Sequence, residues 1–158
     1  MTAREPLPKI SVAMCTYNGE RFLAEQLDSI LNQTYKNIEL VIVDDLSTDG
    51  TLLLLEEYAR RDGRIRVIRN GQNIGFVRNF EKAMGECSGR FIALADQDDI
   101  WFPEKIEVLH NEIGENWLIY SEISPVDFEG NLIGESFPYR ACKFDKTRVT
   151  AGCYAGNE

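Results

Sequence analysis

The chain has 158 residues, of which 44% are hydrophobic and 27% charged, a balance typical of one soluble globular domain with a single core. Its formal net charge of −9 argues against nucleic-acid binding, which needs a basic surface, but does not oppose a phosphate ligand bridged by a metal ion. No apolar run of about 18 residues occurs and residues 1–9 lack a signal-peptide run, so we expect a cytoplasmic protein without a transmembrane segment.

The first half of the chain alternates short apolar runs with amphipathic stretches. Residues 10–15 predict a buried strand, and residues 20–33 follow with apolar side chains at helical spacing. Residues 38–43, β-branched and apolar, predict a second strand. The Ser-Thr-Asp sequence at 47–49 offers preferred N-cap residues, so a second helix is expected to start there and to end near Gly63.

The second half continues the alternation. Residues 65–68 predict a third strand, residues 76–87 an amphipathic helix, and residues 91–95 a fourth strand. Pro103 suits the first turn of a further helix. Residues 117–121 form another apolar run and predict a fifth strand.

The alternation of strands and helices decides the fold class. It predicts an α/β fold, doubly wound around a mostly parallel sheet that helices cover on both faces. After the fifth predicted strand, Glu-Gly-Asn at 129–131 predicts a hairpin turn between residues 126–128 and 132–133. No linker or repeat divides the sequence, so residues 1–158 are treated as one domain.

Acidic residues follow the predicted strands, where ligands of open parallel sheets bind. The sharpest example is Asp96-Gln97-Asp98-Asp99 after the fourth strand, which places three carboxylates within four residues. Hard oxygen ligands of this kind suit Mg²⁺ or Mn²⁺, and phosphate oxygens commonly complete the shell. The alternative is a solvated acidic turn at the start of the next helix.

Other residues near the strand ends suit a nucleotide, although each has a simpler explanation. Asp45 can accept hydrogen bonds from a base or ribose, or act as a turn residue. Tyr17 can stack its ring on a base, or lie in an ordinary turn. Arg78 can contact the nucleotide or its phosphate, or be solvated. Trp101 and Phe102 are expected to pack.

The cysteines and the single histidine suggest no chemistry of their own. Cys15, Cys87, Cys142 and Cys153 match no C-x-x-C pattern, and we expect free thiols in a reducing compartment. His110 lies in a predicted helix, where packing or exposure accounts for it.

Four motifs, in order, resemble those of glycosyltransferase family 2. Residues 10–19 resemble the opening strand of that family, and residues 44–51 its second-strand signature. Residues 73–75, with Asn79, resemble a third motif. Residues 96–105 resemble the D-x-D region, especially that of bacterial rhamnosyltransferase-like members. The resemblance covers about residues 9–134 and implies a GT-A, Rossmann-like three-layer sandwich that is incomplete at its C-terminus.

The resemblance also implies roles for individual residues. It places Tyr17 and Asp45 on the base and Cys15 against the nucleotide through its backbone. It makes Asp98 the principal metal-contacting carboxylate and lets Asp96 reach the ribose or the metal-bound phosphate. The candidate nucleotide-binding residues are thus Cys15, Tyr17, Asp45, Arg78, Asn79 and Asp96, and the candidate metal ligands are Asp96, Asp98 and Asp99.

The activity that the resemblance implies is transfer of a sugar from a UDP- or dTDP-type donor to a hydroxyl of a glycan or lipid-linked acceptor. Inversion at the anomeric carbon, a Mn²⁺ or Mg²⁺ cofactor and a place in cell-surface polysaccharide or lipopolysaccharide synthesis are expected. The protein would then lie in the cytoplasm or peripherally at the inner face of the membrane.

The family usually places its catalytic base beyond Glu158, and residues 149–154 loosely resemble a later strand that approaches the acceptor. We therefore expect donor binding with slow or no transfer, and self-association through an exposed sheet edge. The alternative is a nucleotide-sugar-binding module without catalysis. Glu122 and Asp127 follow the fifth predicted strand, but neither matches a family motif.

Two other classes explain the sequence less well. A nucleotidyltransferase usually has a glycine-rich basic loop after its first strand, and residues 16–19 lack it. A response-regulator-like domain leaves the run at 96–99 and the Tyr17-Asn18 pair unexplained. One departure from family 2 is Leu46, which stands where glycine is common and is expected to alter the turn.

Overall fold

The structure is a computed structural model that describes residues 6–121, 123–127 and 131–134. The described residues fall into two compact units, which divide between Glu104 and Lys105. The first unit contains the strands β1 (Ile10–Thr16), β2 (Ile38–Asp44), β3 (Ile65–Arg69) and β4 (Phe91–Ala95), and the helices α1 (Glu20–Leu31), α2 (Thr51–Arg61) and α3 (Phe76–Gly85).

The four strands form one parallel sheet in the order β3-β2-β1-β4. The chain winds outward from β1 to β3, and α3 then carries it back across to place β4 on the other side of β1. This reversal creates a switch point between β1 and β4, the position where open α/β sheets bind ligands at the carboxyl ends of their strands. The predicted α/β fold with a parallel sheet is confirmed.

The centre of the sheet is buried on both faces. All seven residues of β1 are buried, and Val41, Ile42 and Val43 of β2 are fully buried. Leu23, Leu27 and Ile30 of α1, spaced three to four residues apart, are fully buried as well. Such burial contributes about 1.5–3 kcal/mol for each large apolar side chain. A second cluster joins Phe80 and Ala83 of α3 to Ala13, Cys15 and Val43.

The start of α2 differs from its prediction. The helix begins at Thr51 with Gly50 as N-cap, and Gly50 has no side chain that could cap it. Asp49 accepts a hydrogen bond from Thr51 N at 3.0 Å. Ser47, expected as a possible cap, instead bonds to Asp44 at the end of β2. The Ser-Thr-Asp sequence therefore serves the strand-end loop more than the helix.

The second unit contains α4 (Lys105–Ile113), which begins two residues after Pro103. An antiparallel bridge joins Val126 to Leu132, and Asp127 N donates to Asn131 O at 2.9 Å. This pairing agrees with the predicted hairpin, although its tip at 128–130 lies outside the described residues.

The predicted fifth strand at 117–121 is wrong, because these residues form no strand. Trp117 is 76% exposed and Leu118 40% exposed, so this apolar run is not a buried one. An apolar run alone does not determine a strand, since a strand also needs a neighbour to pair with. Predictions that concern Glu122, Cys142, Cys153 and residues 149–154 lie outside the described residues.

The described sheet ends at β4 on one side. Ile92 and Leu94 of this edge strand are 43% and 51% exposed. Among the described residues, no helix has both the length and the apolar character needed to cross a bilayer.

Candidate functional site

A cleft of about 470 Å³ opens at the carboxyl ends of β1, β2 and β4. Six of the predicted site residues line it: Cys15, Tyr17, Asp45, Asn79, Asp96 and Asp98. The other two, Arg78 and Asp99, are exposed and do not line the cleft. The parallel sheet thus brings together residues that are far apart in the sequence.

Asp45 directly follows β2 and is only 4% exposed. Its Oδ1 accepts hydrogen bonds from Asn70 Nδ2 and Ile74 N, both at 2.8 Å, and its Oδ2 accepts one from Gly75 N at 2.8 Å. Burial alone raises the pKa of Asp45, but these bonds and the charge of Lys82 outweigh it and hold the pKa below its ordinary value. Asp45 is therefore an ionised anchor for the turn before α3.

This turn needs a glycine. Gly75 has φ +83° and ψ 160°, a conformation that is essentially restricted to glycine. The Asp45 carboxylate holds the turn from one side, and Asn73 Nδ2 donates to Asp45 O at 3.2 Å. The Asn-Ile-Gly motif seen in the sequence is thus the partner of Asp45.

A buried polar network stands behind Asp45. Asn70, 4% exposed, donates to Asp45 and to Asn79 Oδ1, the latter at 2.8 Å, and accepts from Lys82 Nζ at 2.8 Å. Asn79 is 2% exposed and donates to Val43 O at 2.8 Å. The Asn79 amide thus supports the cleft wall from within. Sequence reasoning missed the roles of Asn70 and Lys82; the available signal was a polar residue directly after β3.

Asp44, next to Asp45, has a different environment. It is fully buried and accepts from Thr16 Oγ1 at 3.0 Å, from Ser47 N at 3.0 Å and from Ser47 Oγ at 2.5 Å. Leu46, directly after Asp45, has φ +66°, in the left-handed region that favours glycine. The sequence departure at Leu46 therefore falls at a position where the backbone itself favours glycine.

The loop after β4 supplies the remaining carboxylates. Asp96, Asp98 and Asp99 are exposed, and Asp96 O accepts from Gln26 Nε2 of α1 at 3.0 Å. Burial, then the negative charges of Asp96 and Asp45, raise the pKa of Cys15 to about 12. Carboxylates from two different strand ends thus lie near one buried thiol, which stays protonated and is a poor nucleophile or metal ligand.

The acidic loop offers a limited set of donors for a metal ion. Across the part of the chain that the structure describes, no three His, Cys, Asp or Glu side chains form a ready-made metal site. Asp96 and Asp98 nevertheless border the same cleft with hard carboxylate oxygens. These residues fit a divalent cation that takes the rest of its oxygen shell from a bound ligand and water.

Gln97, which sequence analysis treated only as part of the acidic run, contacts the loop after β1. Tyr17 N donates to Gln97 Oε1 at 2.9 Å, and Gln97 Nε2 donates to Tyr17 O at 3.2 Å. The partners are 80 residues apart, so no local pattern in the sequence could have revealed the contact.

Two aromatic rings are exposed at the cleft. Tyr17 is 48% exposed and Phe76 is 55% exposed, with the Phe76 ring packed edge-on against Phe80 at 4.9 Å between centroids. Of the two aromatic residues after the acidic run, Trp101 is buried as predicted. Phe102 is 77% exposed, so its predicted packing role is wrong. The Phe102 main chain is held instead, because its carbonyl accepts a hydrogen bond from Gln33 Nε2.

The arrangement of strand ends, cleft and acidic loop agrees with a comparison of the sequence with protein families. The family model described as "Glycosyl transferase family 2" matches residues 11–152. The chain belongs to glycosyltransferase family 2. An uncharacterized glycosyltransferase of Haemophilus influenzae is 39% identical over 138 residues, which are 84% of this chain and 42% of that protein.

Two further similar proteins carry more specific names. The Escherichia coli UDP-Glc:alpha-D-GlcNAc-diphosphoundecaprenol beta-1,3-glucosyltransferase WfgD is 38% identical over 99 residues, covering 63% of this chain and 38% of that protein. The crystal structure of S. aureus TarS 1-349 in complex with UDP-GlcNAc has a TM-score of 0.63 and 32% identity, covering 68% of this chain and 32% of that chain. The fold is that of the GT-A glycosyltransferases. The chain spans about two-fifths of the length of the curated relatives.

Proposed function

We propose that the cleft binds the nucleotide diphosphate sugar donor of a glycosyltransferase, of the UDP or dTDP type. The observation that carries the proposal is the convergence of Tyr17, Asp45 and Asp98 from three strand ends on one cleft at the switch point of the sheet. Two relatives support it through their names, since TarS was solved with UDP-GlcNAc and WfgD is named for UDP-Glc.

In this proposal the base lies on the side of Tyr17 and Asp45. The exposed Tyr17 ring offers a face for stacking on a base. Asp45 Oδ2 accepts one hydrogen bond in the structure and has a second lone pair that can accept from the base. Cys15 contributes its backbone, and the buried Asn79 amide holds the wall behind it.

The diphosphate lies on the side of the acidic loop. Asp98 is the proposed principal ligand of Mn²⁺ or Mg²⁺, with Asp96 between the metal and the ribose and Asp99 as a further candidate. Glycosyltransferases of the GT-A fold commonly use such an ion. When bound, the ion neutralises the charge that develops on the departing diphosphate. Arg78 lies outside the cleft lining, so its contact with the phosphate requires a movement of its side chain toward the ligand.

The reaction we propose is transfer of the sugar to a hydroxyl of a glycan or lipid-linked acceptor, with inversion by in-line displacement at the anomeric carbon. The name of WfgD, which specifies a diphosphoundecaprenol-linked acceptor, supports a place in cell-surface polysaccharide synthesis at the inner face of the membrane. The rhamnosyltransferase-like resemblance of residues 96–105 supports a hexosyl donor.

Calorimetry with a panel of UDP, dTDP and GDP tests the proposal. At least one nucleotide should bind, and more tightly with Mn²⁺ than with EDTA; at a ligand concentration 100 times its Kd, it should stabilise the fold by about 2.7 kcal/mol. Absence of binding by every nucleotide, with or without metal, would reject the proposal. Binding of the nucleotide sugar without release of nucleotide diphosphate would instead support a nucleotide-sugar-binding module without catalysis.

A further inference from the structure

The side-chain amide of Gln97 pairs with both backbone polar groups of Tyr17. Tyr17 N donates to Gln97 Oε1 at 2.9 Å, and Gln97 Nε2 donates to Tyr17 O at 3.2 Å. A primary amide offers the same donor and acceptor as a peptide group, so the two bonds form a closed two-point contact. We name this contact the Gln97 clasp.

The clasp lies just beyond the point where the ladder between β1 and β4 stops. The last pair in the parallel register is Met14 with Ala95. Two residues past Ala95, the side chain of Gln97 forms hydrogen bonds with the main chain of Tyr17, where the main chains of the two strands no longer pair. The clasp therefore joins the loop that carries the Tyr17 ring to the loop that carries Asp98.

We propose that Gln97 is a positioning residue for the nucleotide base. It lies between two carboxylates of the acidic loop, yet its amide is directed to the main chain of Tyr17, so its role is toward the base and not toward the metal. This inference rests on the proposed nucleotide site and deepens it. The clasp positions the Tyr17 ring for stacking before the nucleotide binds, so less conformational entropy is lost on binding.

The conformation of the next residue shows why the loop needs support. Asn18 has φ +50°, a left-handed conformation that a residue other than glycine keeps when its surroundings hold it. On one side, Asn18 N donates to Ser47 Oγ at 3.0 Å, and Thr48 N donates to Asn18 Oδ1 at 2.8 Å. The clasp holds the other side, at Tyr17.

Two independent substitutions break the clasp. Gln97→Met keeps the length of the side chain and removes the amide. Gly19→Ala acts from the opposite side, because a Cβ at Gly19 would lie 2.3 Å from Gln97 Oε1 and would displace it. Gly19 has φ −104°, which alanine adopts without strain, and the displaced group is the end of a flexible side chain. The matched control is Gly63→Ala, where a Cβ meets nothing within 4 Å.

The test uses the nucleoside of whichever nucleotide the panel selects, uridine for UDP, titrated by NMR in EDTA. Without phosphate or metal, the metal-binding role of Asp98 contributes nothing to the affinity. Gln97→Met and Gly19→Ala should each weaken nucleoside binding by about three- to tenfold, the loss expected when one side chain must be ordered on binding. Gly63→Ala should bind as the wild type does, and circular dichroism confirms the fold of each variant.

A double-mutant cycle with Tyr17→Ala distinguishes positioning from direct contact. If Gln97 acts through Tyr17, adding Gln97→Met to Tyr17→Ala causes no further loss of affinity. Additive losses would overturn the inference, since Gln97 would then contact the ligand itself; so would wild-type nucleoside affinity in both clasp variants. If the wild type binds no nucleotide, the proposed function has failed and the inference with it, which is a different result from either of these.

Discussion

The two ends of the sheet both carry carboxylates, but the protein treats them differently. At the amino end, Glu39 accepts from Lys9 Nζ at 2.6 Å, from Ser11 Oγ at 2.5 Å and from Ser88 N at 2.7 Å. Burial raises the pKa of Glu39, but these hydrogen bonds outweigh it and lower the pKa to about 2. These hydrogen-bond partners lie at the end of the sheet opposite the cleft, so this carboxylate serves the fold.

At the carboxyl end the carboxylates divide into two kinds. Asp44 and Asp45 are buried and accept several hydrogen bonds from the surrounding loops, whereas Asp96 and Asp98 are exposed on the cleft. Acidic residues at the strand ends are therefore not equivalent. The buried carboxylates that accept several internal hydrogen bonds shape the site, and Asp45 also lines the cleft with the exposed Asp96 and Asp98.

The largest expected effect follows from removing an internal carboxylate. Asp45→Ala should lower the free energy of unfolding by about 2–4 kcal/mol, because one buried and two partly buried donors lose their acceptor. It should also weaken nucleoside binding in EDTA. Asp98→Ala is the matched control and should change stability by less than about 0.5 kcal/mol. Urea unfolding measures the free energy of unfolding of both variants. Equal values would contradict the division of the carboxylates into two kinds.

The next effect concerns pH at the amino end. The folded pKa of Glu39, about 2, lies below its ordinary value of 4.5, so its stabilisation is present above pH 4.5 and is lost as the pH falls toward 2. Glu39→Gln should cost about 1–3 kcal/mol at pH 7, after allowance for solvent screening of the partly exposed Lys9.

Denaturant unfolding of Glu39→Gln and the wild type at pH 7 and pH 3 checks this sign. The difference in unfolding free energy between the two proteins should be smaller at pH 3 than at pH 7. Their nucleotide affinities at pH 7 should be the same. A constant difference in unfolding free energy across this range would show that Glu39 is not the titrating group.

A smaller effect is expected on metal-dependent binding. Asp98→Ala should reduce nucleotide affinity in Mn²⁺ by about tenfold, or ~1.4 kcal/mol, and leave affinity in EDTA unchanged. Asp45→Ala should lose affinity in both conditions. Calorimetry in the two buffers compares them; if the two variants lose affinity equally in EDTA, the proposed division between base and metal sides is wrong.

The smallest effect concerns Leu46, the strained position directly after Asp45. Leu46→Gly should raise the free energy of unfolding by about 0.5 kcal/mol, because relief of the left-handed conformation exceeds the entropy cost of glycine. The same change at Leu53, exposed on α2, should destabilise by about 1 kcal/mol. Thermal unfolding of the pair tests this, and a loss of stability for Leu46→Gly would mean that packing of the leucine dominates.

The sequence predicted the parts of the molecule that local patterns determine. The apolar runs of β1 and β2 are buried, and all four runs are bounded by polar residues, so their positions were predicted to within one residue. The acidic loop was visible because its carboxylates are adjacent. The strand prediction at 117–121 was wrong because the burial of an apolar run depends on the segments that pack against it, and Trp117 is exposed.

The parts that could not be predicted depend on contacts between distant segments. The Gln97 clasp joins residues 80 apart, and the bond from Asn70 to Asp45 joins residues 25 apart. Asp45 was predicted as a ligand contact or as a turn residue, and its three internal donors come from a loop whose position only the folded sheet determines. Sequence reasoning therefore found the residues of the cleft before it could assign which of them support the others.

The most direct test of the account is a crystal structure of this chain with UDP and Mn²⁺, or with the nucleotide that the panel selects. We predict a Mn²⁺ anomalous peak in coordination contact with Asp98 and a base that lies against the Tyr17 ring, with the Asp45 carboxylate within hydrogen-bond distance. A nucleotide bound away from the cleft, or a Mn²⁺ peak that does not contact the acidic loop, would contradict the central claim.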